Sequence, residues 1–239
     1  MKADVKILNS KDALATFAAD WLAELSGRLI ARSGRFNVAL SGGSTPAALY
    51  QKLLLTDEIK WSYFTFFWSD ERFVPFDHPE SNAGNAYRML LQPLGIDKER
   101  FCPVPTHYST AHLAAMEYEA CIRSRFGTPE QVPSFDLIVL GLGSDGHTAS
   151  LFPETQALQE TRRIVTGNWV EKLQNWRITF TYPLINQARH VVFLVSGRDK
   201  AGVVRDILKL DDQRHPAARV QPVQGKLLWM LDADAAGLL

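Results

Sequence analysis

Phe135-Asp-Leu-Ile-Val-Leu140 is an almost unbroken apolar run, and it ends on a loop carrying Gly141, Gly143 and Gly146. A strand apolar on both sides needs cover on both faces, as in a parallel sheet sandwiched between helices. Parallel strands cannot be joined by tight hairpins, so each one demands a crossover, usually a helix. The rest of the chain supplies that alternation. Leu14, Phe17, Ala18, Trp21, Leu22, Leu25 and Leu29 recur at helical spacing over 10–33, with Ser10 as N-cap and Gly34 as stop. A strand over 36–41 and a helix over 47–55 follow, with Pro46 near the helix start, where its missing N–H costs nothing. Next come an aromatic strand over 63–68, a polar loop over 69–81, a short helix over 83–91 and a helical pattern over 109–126. Further strands are expected over 163–166, 177–180, 191–195 and 227–231, with a helix over 199–210. This is the pattern of an α/β fold with a mostly parallel, doubly wound sheet flanked by helices. No linker, repeat or low-complexity tract interrupts it, so 1–239 reads as a single domain.

Composition narrows the partners. The chain has 239 residues and is 46% hydrophobic, enough for one sizeable core. Its 26 Lys+Arg balance 26 Asp+Glu. Nucleic-acid binders need a basic excess and membrane-surface proteins a basic amphipathic face, so neither partner is expected. Any anion bound here is small and held at one local site. The N-terminus lacks a signal-peptide pattern, and no apolar run approaches the ~20 residues that span a bilayer. The cytoplasm is the expected location. Cys102 and Cys121 are not in a C-x-x-C arrangement and read as thiols in a reducing compartment, not as a disulfide or a metal site. His78, His107, His112, His190 and His215 show no metal-ligand spacing, so neither metal nor cofactor is expected.

In open α/β sheets, ligands bind beyond the carboxyl ends of the strands. Three polar clusters follow strands here, and all should reach one edge. Ser41-Gly42-Gly43-Ser44-Thr45-Pro46 lies between a strand and a helix, where glycine allows close backbone approach and the helix N-terminus offers free N–H groups. It suits a phosphate, although a capped βα turn has the same look. Asp70-Glu71-Arg72 places an acid and an arginine two apart, on one side of any continuing strand. Taken alone it reads as a surface charge cluster. The loop 141–148 is the most informative, because three glycines are costly and Asp145 and His147 share it. An Asp beside a His can fix its tautomer and raise its basicity, as a general base requires. Arg177 and Lys200 read by themselves as ordinary surface charge, although a cation at the start of a helix is unfavourable.

Together these stretches resemble the 6-phosphogluconolactonase family, lactone hydrolases acting on a sugar phosphate. The resemblance runs through Ala39-Leu-Ser-Gly-Gly-Ser-Thr-Pro46, Trp68-Ser-Asp-Glu-Arg-Phe-Val-Pro75, Ser81-Asn82, Leu140-Gly-Leu-Gly-Ser-Asp-Gly-His-Thr-Ala-Ser-Leu-Phe-Pro153, Arg177-Ile-Thr179 and Gly197-Arg-Asp-Lys-Ala201. It implies a Rossmann-like fold related to the glucosamine-6-phosphate deaminases. It also implies roles. Ser41, Gly42, Gly43, Ser44 and Thr45 match the sugar-phosphate loop, with Arg177 and Lys200 near the phosphate. Asp70 and Arg72 match an acidic–basic pair at the sugar, and His147 the catalytic histidine with Asp145 beside it. The implied partner is a small sugar-phosphate lactone, and the implied assembly a monomer or homodimer. The deaminases share the S-G-G, D-E-R and D-G-H stretches but carry a glutamate where this chain has Phe152. That substitution points to the lactonase. A deaminase or a non-catalytic sugar-phosphate sensor are the other readings. A general base of ordinary acidity would lose activity near pH ~6.5.

Overall fold

Every residue of β2 (Phe36–Leu40) and β5 (Leu137–Leu140) is buried, as strands covered on both faces must be. The computed structural model describes residues 3–239. β2 and β5 lie inside a six-stranded sheet with β1 (Asp4–Leu8), β3 (Phe64–Trp68), β8 (His190–Val195) and β9 (Lys226–Asp232). The strand order is β1-β9-β8-β5-β2-β3, and every pairing is parallel. Side-chain alternation splits the core into two clusters. Ala39, Ile138, Leu140 and Phe193 pack with Ala114, Tyr118 and Ile122 of α4 (Ala111–Phe126) and with Val204 of α5 (Ala201–Leu208). Val38, Leu40, Val139 and Leu194 pack on the opposite face with Leu14, Leu22 and Leu25 of α1 (Lys11–Ser33) and Leu49 of α2 (Ser44–Leu53). Helices therefore cover both faces, in the doubly wound arrangement expected of a Rossmann-like fold.

Local signals set the helix ends. The Ser10 side chain accepts the Ala13 N–H at 3.1 Å, and Gly34, at φ 67°, donates its N–H to the Ile30 carbonyl. Thr110 caps α4 the same way, accepting from Leu113 N–H. α2 starts at Ser44, three residues before the expected position. Gly43 is its N-cap at φ 104°, a conformation only glycine adopts freely, so Ser44 and Thr45 belong to the first turn. The expected helix over 83–91 is α3 (Asn82–Ala86) followed by a π-helical turn, Tyr87–Leu91.

Three features differ from the sequence reading. A second sheet, absent from it, runs β4-β7-β6 and is antiparallel: β4 (Asp70–Arg72), β6 (Val165–Val170) and β7 (Asn175–Phe180). β4 sits in what reads as a polar loop, because three charged residues show no strand pattern. β1 also went unread, since its residues are mostly exposed at the sheet edge. Finally, Cys102 and Cys121 are joined in a disulfide, against the expectation of thiols. Cys102 lies beside β3, donating its N–H to the Phe66 carbonyl, and α4 carries Cys121 to it. No helix among the described residues is long and apolar enough to cross a membrane.

Candidate active site

The strand order reverses at one place. From β2 the chain steps outward to β3, then returns to β5 on the other side of β2 and continues to β8 and β9. The loops leaving β2 and β5 part there and open a crevice, the usual ligand position in such sheets. The loop after β8 reaches it with Lys200, and the small sheet closes one side with β4 and β7. A cavity of about 450 Å3 results, the size of a small-molecule site.

The 141–148 loop is tied down from within. Gly143 N–H donates to the His147 carbonyl at 2.8 Å and Gly146 N–H to the Gly143 carbonyl at 3.0 Å. Thr148 Oγ1 donates to the Gly141 carbonyl at 2.9 Å. The imidazole then folds back over Gly143. A Cβ at that position would overlap His147 Nδ1 and Cε1, so the glycine is there for close approach. His147 Nδ1 lies 2.5 Å from Asp145 Oδ1. The carboxylate accepts the Nδ1–H and leaves the Nε2 lone pair free. The other face of the ring stacks on Phe152, with centroids 4.0 Å apart. Burial pushes the imidazole down to about 4. The nearby cations Lys200, Arg177 and Arg72 press the same way, against a raising effect from Asp70. His147 is thus a neutral imidazole at physiological pH.

Asp70 and Arg72 face the cavity while Glu71 points away, the alternation a strand imposes. Asp70 Oδ2 accepts from Ser150 Oγ at 2.6 Å, and Asn82 Nδ2 donates to the Asp70 carbonyl at 3.0 Å. Glu71 accepts the Asn82 and Ala83 N–H groups at 2.7 and 2.8 Å and so fixes the start of α3. Arg72 donates to the Glu80 carbonyl at 2.7 Å. In the β4–β7 ladder, Arg72 stands directly opposite Arg177. Like charges at that position repel, and Arg177 is only 8% exposed. Its guanidinium is pushed below its ordinary value by burial and then by Arg72. With Lys200, three cations line the cavity against one carboxylate of the lining, Asp70, while the fourth, Lys172, is paired with Asp145. In a chain of zero net charge this concentration is local, and it suits a dianion.

The cavity gathers Ser41, Gly42, Gly43, Asp70, Arg72, Gly141, Gly143, His147, Arg177 and Lys200. Ser41 is turned inward, donating to the Val139 carbonyl at 2.7 Å, so its hydroxyl builds the loop and leaves the ligand to others. Ser44, Thr45, Asp145 and Gly146 are not among the lining residues. Asp145 stands behind His147, and Gly146 packs against His215. Sequence reasoning assigned no role to Ser150, Lys172 or Leu173. Ser150 falls within a matched motif. Lys172 and Leu173 lie in the turn between β6 and β7 and carry no local signal.

Comparison with known proteins fits this geometry. The family of glucosamine-6-phosphate isomerases and 6-phosphogluconolactonases matches residues 9–229. The chain belongs to that family. A 6-phosphogluconolactonase of Nostoc sp. is 40% identical, covering 100% of this chain and 99% of its own. The human 6-phosphogluconolactonase is 36% identical over 98% of this chain and 93% of its own. A 6-phosphogluconolactonase structure from Trypanosoma cruzi superposes with a TM-score of 0.88 at 32% identity, covering 100% and 97% of the two chains. A monomeric glucosamine-6-phosphate deaminase shares the fold, with a TM-score of 0.83 at 19% identity, covering 99% and 100%. Phe152, where the sequence departs from the deaminase pattern, is the residue whose ring stacks on His147.

Proposed function

We propose that the chain hydrolyses 6-phospho-D-glucono-1,5-lactone to 6-phosphogluconate. One observation carries the reading. A neutral His147, with its Nε2 free, shares a cavity with the opposed cations Arg72 and Arg177 and with Lys200. The phosphate dianion docks on those cations and on the backbone of Gly42 and Gly43. Its charge relieves the repulsion between the two guanidinia, and bidentate contacts fix its orientation. Nε2 takes a proton from water as the oxygen attacks the lactone carbonyl carbon. Gly143 and Gly146 N–H groups are already paired within their loop, and the positive lining of the cavity stabilises the developing oxyanion. The tetrahedral intermediate collapses, the bond from the carbonyl carbon to the ring oxygen breaks, and the imidazolium returns its proton to that oxygen. Asp145 stabilises the imidazolium in between. The carboxylic acid formed then loses a proton to solvent. General acid–base help of this kind is worth ~10²–10⁴-fold, which suffices for a lactone that also opens unaided.

The whole chain, 1–239, acts as one domain in this reading, because the site draws on loops after β2, β5 and β8 and on the small sheet. The cytoplasm is the proposed location, and the Cys102–Cys121 disulfide is the observation that stands against it. The deciding assay follows acid release from the lactone beside ammonia release from glucosamine 6-phosphate. The proposal requires the first well above the spontaneous rate and none of the second. Ammonia release without lactone opening overturns it.

A further inference from the structure

Asp145 uses only one of its oxygens on His147. Lys172 Nζ donates to the other, Oδ2. The same ammonium sits 4.8 Å from the centroid of the Phe152 ring, on which the imidazole stacks. One cation from another strand connection thus touches both groups that hold His147 in place. Its own placement is braced. Lys172 lies in a single 3-10 turn, Glu171–Leu173, joining β6 to β7. Glu171 Oε2 accepts from Trp169 Nε1 at 2.6 Å, and Glu171 Oε1 accepts from Gln174 Nε2 at 2.8 Å. Gln174 takes φ 47° to close the turn. The turn therefore presents Lys172 to the site from a fixed frame.

We propose that Lys172 is a positioning residue for the reaction, holding Asp145 by its second oxygen and Phe152 by its ring so that Nε2 of His147 faces the cavity. The proposal rests on His147 acting as the base. Its energetic logic has two sides. The Lys172 side chain is 52% exposed, so its ion pair adds little to stability. Its effect on the base is larger. An unneutralised Asp145 carboxylate would raise the proton affinity of the imidazole, so the ring would protonate at a higher pH than it does beside the paired carboxylate. The charged groups around the ring are Asp70 and Arg72 from β4, Arg177 from β7 and Lys200 from the turn after β8, and the titratable His215 lies behind the loop at Gly146. Unlike these cations, Lys172 contacts Asp145 directly.

The test is Lys172→Met beside Lys172→Arg and His147→Ala, followed by lactone opening across pH and by thermal unfolding. Lys172→Met is expected to fold with an unchanged melting temperature and to lose about 10–100-fold in kcat, up to the scale of a catalytic group misplaced by about 1 Å. The acid side of its kcat profile is expected to move up by about one pH unit, a typical effect of one neighbouring charge, with KM within twofold. Lys172→Arg should restore most of the kcat and the profile. An unmoved profile with full kcat overturns the proposal, and so does a raised KM at unchanged kcat, which would make Lys172 a phosphate contact. Full turnover in His147→Ala strikes instead at the reading of the base, so the two failures are distinguishable.

Discussion

His147 has a carboxylate on one ring nitrogen, an aromatic face beneath it and cations across the cavity. The carboxylate alone would make it an ordinary or strengthened base. Burial, joined by Lys200, Arg177 and Arg72, outweighs the raising effect of Asp70 and holds the imidazole neutral down to about 4. The sign for activity follows. A base works when deprotonated, so turnover is full well above that value and is lost as pH falls through it. The measurement is kcat/KM, which reports the free enzyme's base, corrected for titration of the free substrate's phosphate. A plateau from pH 7 down to 5, with the fall near 4, is expected. A fall near 6.5 would mean a solvated, unperturbed ring.

At the scale of elements, the β4–β7 ladder carries the binding argument. Setting Arg72 opposite Arg177 costs stability in the free protein, and a bound dianion returns it. Arg177→Met should therefore raise KM for the lactone by about 10–100-fold, the worth of a charged hydrogen bond, without lowering the melting temperature. A structural arginine would give the opposite pattern, with lower stability and an unchanged KM. This ladder is also where the sequence was hardest to read. β2, β5 and β8 were legible because burial on both faces leaves a continuous apolar record. β4 is three charged residues whose strand character comes from β7 beside it. The β6–β7 turn has no Asn-Gly or Asp-Gly signature, and Gln174 takes the left-handed conformation instead. His147 and Asp145 stood out in the sequence because a glycine-rich loop follows a buried strand, whereas Asp70 and Arg72 read as surface charge until the family resemblance gave them a role. Lys172 was not, because only the folded hairpin brings it to Asp145.

At the scale of the molecule, a doubly wound sheet brings loops far apart in sequence to one edge. The loop at 41–43 and the loop at 141–148 meet because β2 and β5 are neighbours in the sheet. The same architecture supports deaminases, so the fold places the site and the side chains choose the reaction. The cysteines bear on the setting. Thiol titration of the denatured, unreduced protein should give no free thiol, because Cys102 and Cys121 are paired, and two free thiols would contradict the pairing. The central claim concerns His147, and the most direct measurement is the rate of lactone opening by the His147→Ala variant, with 6-phosphogluconate binding measured alongside. The account predicts that turnover falls by about 10²–10⁴-fold while binding stays within a few fold, because the phosphate is held by Arg72, Arg177 and Lys200. Turnover near the unsubstituted rate would contradict it.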